Sequence, residues 1–448
     1  MGSVEHRLVD VARPAQPLTW PTVAGLLAPH STEDEFPLRL ALVAADDARL
    51  RFEMSVLKGV GGRGQRWGSL WEFRPRRPQR TGRFVAVQVV PTGVRAEIGG
   101  FSGDATPATN LLAAVCDYVL THPNCVTASD LYWARDNVLY LEGNLLSRFL
   151  TGMIHLLPRQ TRRLGLLVDS PRGEDLLNNV LNAVNAARAV GGLELGPVWV
   201  CGKPLRASVF YSDSGRALGD VTNLGEILDL ASQAARSVDA LAITSEIAVD
   251  PGLRADYYAG KEVPNPWGGV EALLTHAVTT VVGLPAAHAP MLTLWEELRV
   301  EGPVDPRDAA EVISMTFLVS VLRGLAAAPQ PVAADAPVVP GDTRLTAEDV
   351  GAVVLPASAV GGVPAFAALA QGIPLVLVTE NETISELRPE DLVPPGDGVR
   401  PEIHVVGNYL EAAGVLVSLR ERLSLESLRR PIPRAEPLQL PGGPAADE

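Results

Sequence analysis

Residues 84–114 read FVAVQVVPTGVRAEIGGFSGDATPATNLLAA. Phe84–Val90 is a compact apolar run of β-favouring residues, and a glycine-rich turn follows it. The amphipathic stretch Ala108–Leu120 then reads as a helix. Strand, glycine turn and helix in that order form the unit of a parallel α/β sheet. The unit recurs along the chain. Leu164–Val168 precedes a helical pattern over Glu174–Val190, and Val198–Cys201 and Ala240–Thr244 flank another over Leu224–Ser237. Trp267–Val282 reads as a helix leading into Ala286–His288, and Pro306–Leu325 as a longer helix. Ala352–Leu355, Pro364–Gln371, Pro374–Val378 and Tyr409–Leu423 alternate strand and helix again. The expected class is α/β: repeated strand–helix units forming mostly parallel sheets in two Rossmann-like lobes, with helices on both faces.

The remainder frames that core. Residues 1–83 read as an N-terminal arm, a first strand at Leu38–Ala45 and a basic, Gly- and Pro-rich loop (KGVGGRGQRWGS, RPRRPQRTGR). The loop reads either as a solvated segment or as a cationic lid over an anionic ligand, because arginine forks suit carboxylate, sulfate and phosphate oxygens. Residues 84–325 form the expected main domain, 326–340 a Pro/Ala-rich linker, 341–429 a C-terminal α/β unit and 430–448 a disordered tail.

Three helix starts share a chemistry. EIGGFSGDATPATN (97–110), NPWGGVEA (265–272) and VGGVPA (360–365) each place glycines at a helix opening. Glycine admits close backbone approach, and a helix N-terminus presents unpaired N–H donors with partial positive charge. Such a place accepts an anion without a formal cation. In the first, Gly99, Gly100, Ser102, Gly103, Thr106 and Asn110 form the candidate cradle, with Arg95 closing over it and Asp104 or Thr106 as cap. Neither the dinucleotide fingerprint nor the Walker pattern is present. In the second, Tyr258, Lys261, Asn265, Gly268 and Gly269 are the ligand-contacting candidates. Each of the three turns has the alternative of a tight structural connection; polar density favours a ligand at the first, and the aliphatic character of the third favours structure.

Composition excludes several functions. Of 448 residues, 47% are hydrophobic and 20% charged, which suits a globular protein with a large core. Fifty-two acidic against thirty-eight basic residues leave a formal charge of −14, so neither nucleic acid nor a membrane surface is an expected partner. No apolar run approaches the roughly 20 residues of a membrane span. The N-terminus lacks the apolar core of a signal peptide, and a cytoplasmic location is expected. Three scattered cysteines and no paired-histidine spacing give zinc no support. No G-x-S-x-G elbow is present.

For acid–base work, the ends of strands are the places to look, because the ligand crevice of a doubly wound sheet lies there. That favours His122 (LTHPN) and His288 (AAHAPM) over His6, His30 and His404. Asp104 and Glu271 are the carboxylates added to the catalytic candidates. Glu271 lies five residues before His276, which does not set that pair on one helix face. Glu142 (LYLEGN), Asp169, Glu246 and Glu380 are further strand-end carboxylates that could orient an amine or act as a base.

With EIGGFSGDATPATNLLAA, THPN, YYAGKEVPNPWGGVEALLTH, AHAPM and VLPASAVGGVPAFAALAQGIPLVLVTEN in view, the chain resembles a bacterial and cyanobacterial family known only as a domain of unknown function. It also resembles the large subunit of the aziridine-forming enzymes of azinomycin- and vazabitide-type biosynthesis, a likeness from which no residue roles transfer. That second resemblance implies a cofactor-independent reaction on an amino-acid-derived, anionic substrate: an amine displaces a neighbouring sulfate to close an aziridine ring. It further implies a carrier-protein-tethered substrate and a small partner subunit. Holding nucleophile and leaving group in line can contribute on the order of 7–11 kcal/mol. The competing expectations are a nucleotide- or NAD(P)-dependent enzyme using the same glycine turn, and a non-catalytic subunit that binds an anion or a carrier protein.

Overall fold

The computed structural model describes residues 2–77, 82–91, 98–101, 103–122, 133–158, 163–291, 302–307, 309, 317–337, 341, 343–393, 402–432 and 434–435. The chain opens with β1 (Ser3–Ala12), α1 (Trp20–Leu27), β2 (Phe36–Ala45) and β3 (Arg49–Lys58). The three strands form an antiparallel sheet in the order β1–β3–β2. The N-terminal arm expected from the sequence is therefore a full edge strand. Its residues are mostly exposed or half-buried, so it carries little apolar signal until β3 pairs with it.

Then come β4 (Val85–Gln88), α2 (Thr106–Ala113), β5 (Tyr118–Thr121), β6 (Val138–Tyr140), α3 (Gly143–Leu150) and β7 (Ile154–Leu157). Here the expected helix Ala108–Leu120 divides in two. The helix stops at Ala113, and the apolar residues beyond it are strand; Asp117 at the break accepts the Phe84 N–H at 2.7 Å.

The middle of the chain supplies β8 (Leu164–Val168), α4 (Glu174–Ala189), β9 (Leu195–Val200), the hairpin β10 (Arg206–Tyr211) and β11 (Ala217–Thr222), and α5 (Leu224–Ala234). It continues with β12 (Ala240–Ser245), α6 (Pro251–Tyr258), α7 (Gly268–Val282), β13 (Ala286–Pro290), α8 (Phe317–Ala326) and β14 (Gln330–Ala333). The last part holds β15 (Val350–Pro356), α9 (Val363–Gln371), β16 (Leu375–Val378), β17 (Ile403–Val406) and α10 (Tyr409–Glu421).

Two parallel sheets carry the architecture, as the strand–helix alternation implies. The large sheet has the order β17–β16–β15–β4–β5–β6, and the small one β13–β12–β8–β9. Each is covered on both faces. In the large sheet Val85, Val87, Val353, Leu355 and Leu377 face α1, α3, α9 and the N-terminal sheet, whereas Ala86, Val119, Val354 and Val376 face α2 and α10. In the small sheet Leu167, Leu241 and Ile243 face α5 and α7, and Leu166, Val168 and Ala242 face α4 and α8. Each fully buried Val, Leu or Ile contributes about 1.5–3 kcal/mol relative to exposure, which fixes the strand registers.

Two expectations change. Residues 341–429 are not a separate unit: β15 pairs with β4, so this stretch completes the large sheet begun by residues 85–140. The expected linker contains β14, antiparallel to β7. Three described arginines of the basic loop act as staples within the fold. Arg76 donates to the carbonyls of Gln371, Val350 and Gly372, Arg83 pairs with Asp349, and Arg63 with Asp229. Residues 78–81, part of the Pro306–Leu325 helix and most of the 430–448 tail lie outside the described residues.

The N-terminal sheet docks onto α9 through a seam at Gly361. Its carbonyl accepts the Leu42 N–H at 2.8 Å, and a Cβ at this glycine would lie 2.3 Å from the Leu42 carbonyl oxygen. Gly361→Ala is expected to lower the unfolding free energy in urea by about 1–3 kcal/mol, because backbone cannot give way. Gly414→Ala, in the interior of α10 where a Cβ meets nothing within 4 Å, is expected to raise it by about 0.5–1 kcal/mol. Equal effects at the two positions would contradict the close-packed seam.

Candidate functional site

The large sheet reverses its winding between β4 and β15: β5 and β6 follow on one side, β16 and β17 on the other. In such sheets the crevice beyond the carboxyl ends of the strands at this point is where ligands bind. A cleft of about 680 Å³ lies there. Val89–Pro91 after β4, His122 after β5 and Ser358, Ala359, Gly361 and Gly362 after β15 contribute to its wall. β2 closes one side with residues 38–45, and the β10–β11 turn and residues 383–387 complete the rim.

Three helices begin on this cleft: α3 at Gly143, α7 at Gly268 and α9 at Val363. Two of the three glycine-rich starts noted in the sequence are therefore here. Gly269 is a glycine for packing reasons, since a Cβ would lie 2.6 Å from the Ala217 carbonyl of the hairpin. Along α7, Gly268, Ala272 and His276 recur at i, i+4 and i+8, and all three line the cleft.

The chemistry centres on Glu142. It follows the β6 strand, is 1% exposed, and caps α3: Oε2 accepts the N–H groups of Asn144 at 2.9 Å and Leu145 at 3.2 Å. Its other oxygen, Oε1, accepts a hydrogen bond from His276 Nδ1. Burial alone would raise the carboxyl pKa. The charge and hydrogen bond of His276 and the two amides outweigh it and hold the group below the usual carboxylate range. A carboxylate only accepts, so a His276 ring with a single proton carries it on Nδ1 and leaves Nε2 as an acceptor. Among the described residues no protein group bonds that Nε2.

His122 completes the cluster. A Cβ on Gly143 would lie 2.8 Å from His276 Cε1 and 3.8 Å from His122 Nδ1, so the two rings meet over this glycine. Burial, aided by the nearby His276, pushes the His122 pKa down to about 4, with Glu142 opposing. His122 is thus a neutral imidazole at physiological pH. Its Nε2 is sealed from solvent and has no partner among the described residues.

The other residues singled out in the sequence lie elsewhere. Several groups of the first glycine turn bond within the protein. Gly99 N donates to Asp104 Oδ1 at 2.8 Å, Ile98 N to Asn381 Oδ1 at 3.0 Å, and Thr106 N and Oγ1 to the Gly103 carbonyl. The Gly100 carbonyl accepts the Tyr257 hydroxyl, and Asn110 ties down Trp133 and Arg135. These described groups of the expected anion cradle are thus engaged within the protein, and none of its described residues lines the cleft above. Arg95 and Ser102 lie outside the described residues. Asn265 caps α7 through the amides of Trp267 and Gly268, Tyr258 packs against Tyr257 and Trp267, and Lys261 is an exposed partner of Asp256.

Glu271 and His288 do meet, in a different place. Glu271 Oε1 lies 3.0 Å from His288 Nδ1, and His288 Nε2 lies 2.8 Å from Ser245 Oγ. All three are at most 2% exposed and none lines the cleft, so the array ties α7 to β12 and β13. Glu271 and His276 point from different faces of α7, and each takes its own partner. The His276–Glu142 pair, 134 residues apart, was missed by sequence reasoning. Its available signal was the strand-end glutamate followed by a helix-start glycine, together with the i, i+4, i+8 stripe of α7.

Among the described residues, no group of three or more His, Cys, Asp or Glu side chains could hold a metal ion, and no helix is long and apolar enough to cross a membrane.

A depressed His122 pKa has a calculable consequence. The unfolded chain takes up this proton near pH 6.5 and the folded chain only near 4, so stability falls as pH drops across that window and levels below it. The difference in urea stability between wild type and His122→Gln is expected to change by at most about 3 kcal/mol between pH 7 and pH 4, to the disadvantage of wild type. A pH-independent difference would remove the argument for a neutral, enclosed ring.

The profile of the family described as "Protein of unknown function (DUF3326)" matches residues 85–429. An uncharacterized lipoprotein of Synechococcus sp. is 34% identical over 326 residues, covering 72% of this chain and 89% of that protein. No solved structure matches. The chain belongs to the DUF3326 family.

Proposed function

Taking membership of that family of unknown function as the premise, we propose that the chain is a cofactor-independent biosynthetic enzyme acting on an anionic, amine-bearing small molecule in the cleft. The observation that carries this reading is the His276–Glu142 pair: a histidine on the wall of a switch-point cleft, oriented by a buried carboxylate. That arrangement suits general acid–base chemistry.

The specific reaction proposed is closure of an aziridine ring on an amino-acid-derived substrate. The substrate nitrogen attacks the neighbouring carbon, the C–N bond forms as the C–O bond breaks, and sulfate departs with the bonding electron pair. The proton lost by nitrogen passes to His276 Nε2, and the Glu142 carboxylate stabilises the imidazolium so formed. Helix starts at Gly143, Gly268 and Val363 favour negative charge in the same cleft. Delivery on a carrier protein and a small partner subunit belong to the same proposal.

The test is release of inorganic sulfate from an amino-acid-derived β-amino sulfate ester. Wild-type protein is expected to release sulfate with one ring-closed product per sulfate. His276→Gln and Glu142→Gln are expected to lower the rate constant by about 10²–10⁴-fold. His288→Gln, outside the cleft, is expected to retain catalysis in whatever fraction remains folded. Unchanged rates in the two cleft variants would overturn the proposed role of the pair.

A further inference from the structure

Arg148 is a buried cation one helical turn beyond Asn144 on α3, 2% exposed. Its Nη1 donates to the carbonyls of Trp67 at 3.0 Å and Gly68 at 2.9 Å, and its Nε lies 2.8 Å from the Asn144 side chain. A guanidinium only donates, so the atom facing it is the Asn144 carbonyl oxygen, Oδ1. The orientation of the amide is thereby set by chemistry: the NH₂ group is turned away from Arg148.

Asn144 is 3% exposed and lines the cleft, yet Nδ2 has no hydrogen-bond partner among the described residues. An enclosed amide donor without an acceptor costs about 1–3 kcal/mol, and such groups call for an explanation. Asn144 follows Gly143, the residue over which His122 and His276 meet, and His122 Nε2 on the same wall also has no partner among the described residues. We infer that Asn144 is a ligand-binding residue whose Nδ2–H donates to an oxygen of an oxyanion bound in the cleft, with Arg148 as the positioning residue that turns the amide toward it.

A single enclosed N–H donor calls for a strong acceptor, and the oxygens of an oxyanion accept more strongly than a neutral carbonyl. Burial lowers the Arg148 pKa to about 10, which leaves the guanidinium charged at neutral pH. The Glu142 carboxylate is already engaged by His276 and two amides. The ligand class is therefore a sulfate, phosphate or carboxylate group, whose unprotonated oxygens accept strongly. This rests on the reading that the cleft is the ligand site; it adds the group that the wall recognises.

The test uses the full-length protein and inorganic probes, read by thermal shift across a concentration series at constant ionic strength. Sulfate, phosphate and acetate are the three arms, with chloride as the reference; the arm with the lowest half-saturating concentration identifies the preferred anion. Wild type is expected to show a saturable rise in melting temperature with at least one of them. Asn144→Asp keeps an oxygen for Arg148 and replaces only the donor. It is expected to stay folded and to raise the half-saturating concentration by tenfold or more. Arg148→Lys, which keeps the charge but not the planar fork, is expected to weaken binding in wild type and to add nothing in the Asn144→Asp background. Equal saturation curves for wild type and Asn144→Asp, or no saturable effect of any arm on wild type, would overturn the inference. Neither result bears on whether His276 moves a proton, which the sulfate-release rates test separately.

Discussion

One carboxylate joins the fold of this protein to its candidate chemistry. Glu142 follows a strand of the large sheet, caps the next helix and holds a histidine from a helix of the small-sheet half. Removing it would leave two amides of α3 without their acceptor and His276 without its orienting group. A buried charge is tolerable here because every part of its surroundings compensates it: the partial positive charge of a helix start, two N–H donors and an imidazole. The same constraint explains Gly143, the residue after Glu142, since the space a Cβ would take is occupied by the His276 ring.

The two halves of the molecule meet at this point. α3 belongs to the large sheet, and α7 runs from the cleft along one face of the small sheet. The hydroxyl of Tyr140, two residues before Glu142, donates to the Ala286 carbonyl of β13 at 2.9 Å. Glu271 reaches from α7 to His288 on that strand. The N-terminal sheet adds the outer wall of the cleft although it precedes the region matched by the family profile, so part of the cleft is built from sequence outside that region.

Much of the architecture was legible because parallel sheets advertise themselves. Runs such as Leu164–Val168 and Ala240–Ser245 are buried on both faces, and their apolar continuity can be seen without a partner. β1 was not legible, because an exposed edge strand has no such continuity, and the β10–β11 hairpin hides in a similarly mixed pattern. The site was legible in part. His122 and the Gly268–Gly269 helix start were found from strand-end and helix-start logic. At the first glycine turn, Asp104 accepts the Gly99 amide and Asn381 that of Ile98, pairings that the local sequence does not reveal. Local sequence shows that donors and acceptors are present, not that they satisfy one another. The Glu142–His276 contact depends on a packing angle between helices from different sheets, which no local pattern encodes.

In the proposed mechanism, ligand and reactive histidine share the cleft at the reversal of the large sheet. The most direct measurement is a crystal structure of the full chain grown with a β-amino sulfate ester or with sulfate. The account predicts density for the anionic group in the cleft, within hydrogen-bonding reach of His276 or Asn144. Density at the 99–106 turn instead, with the cleft holding solvent alone, would contradict it.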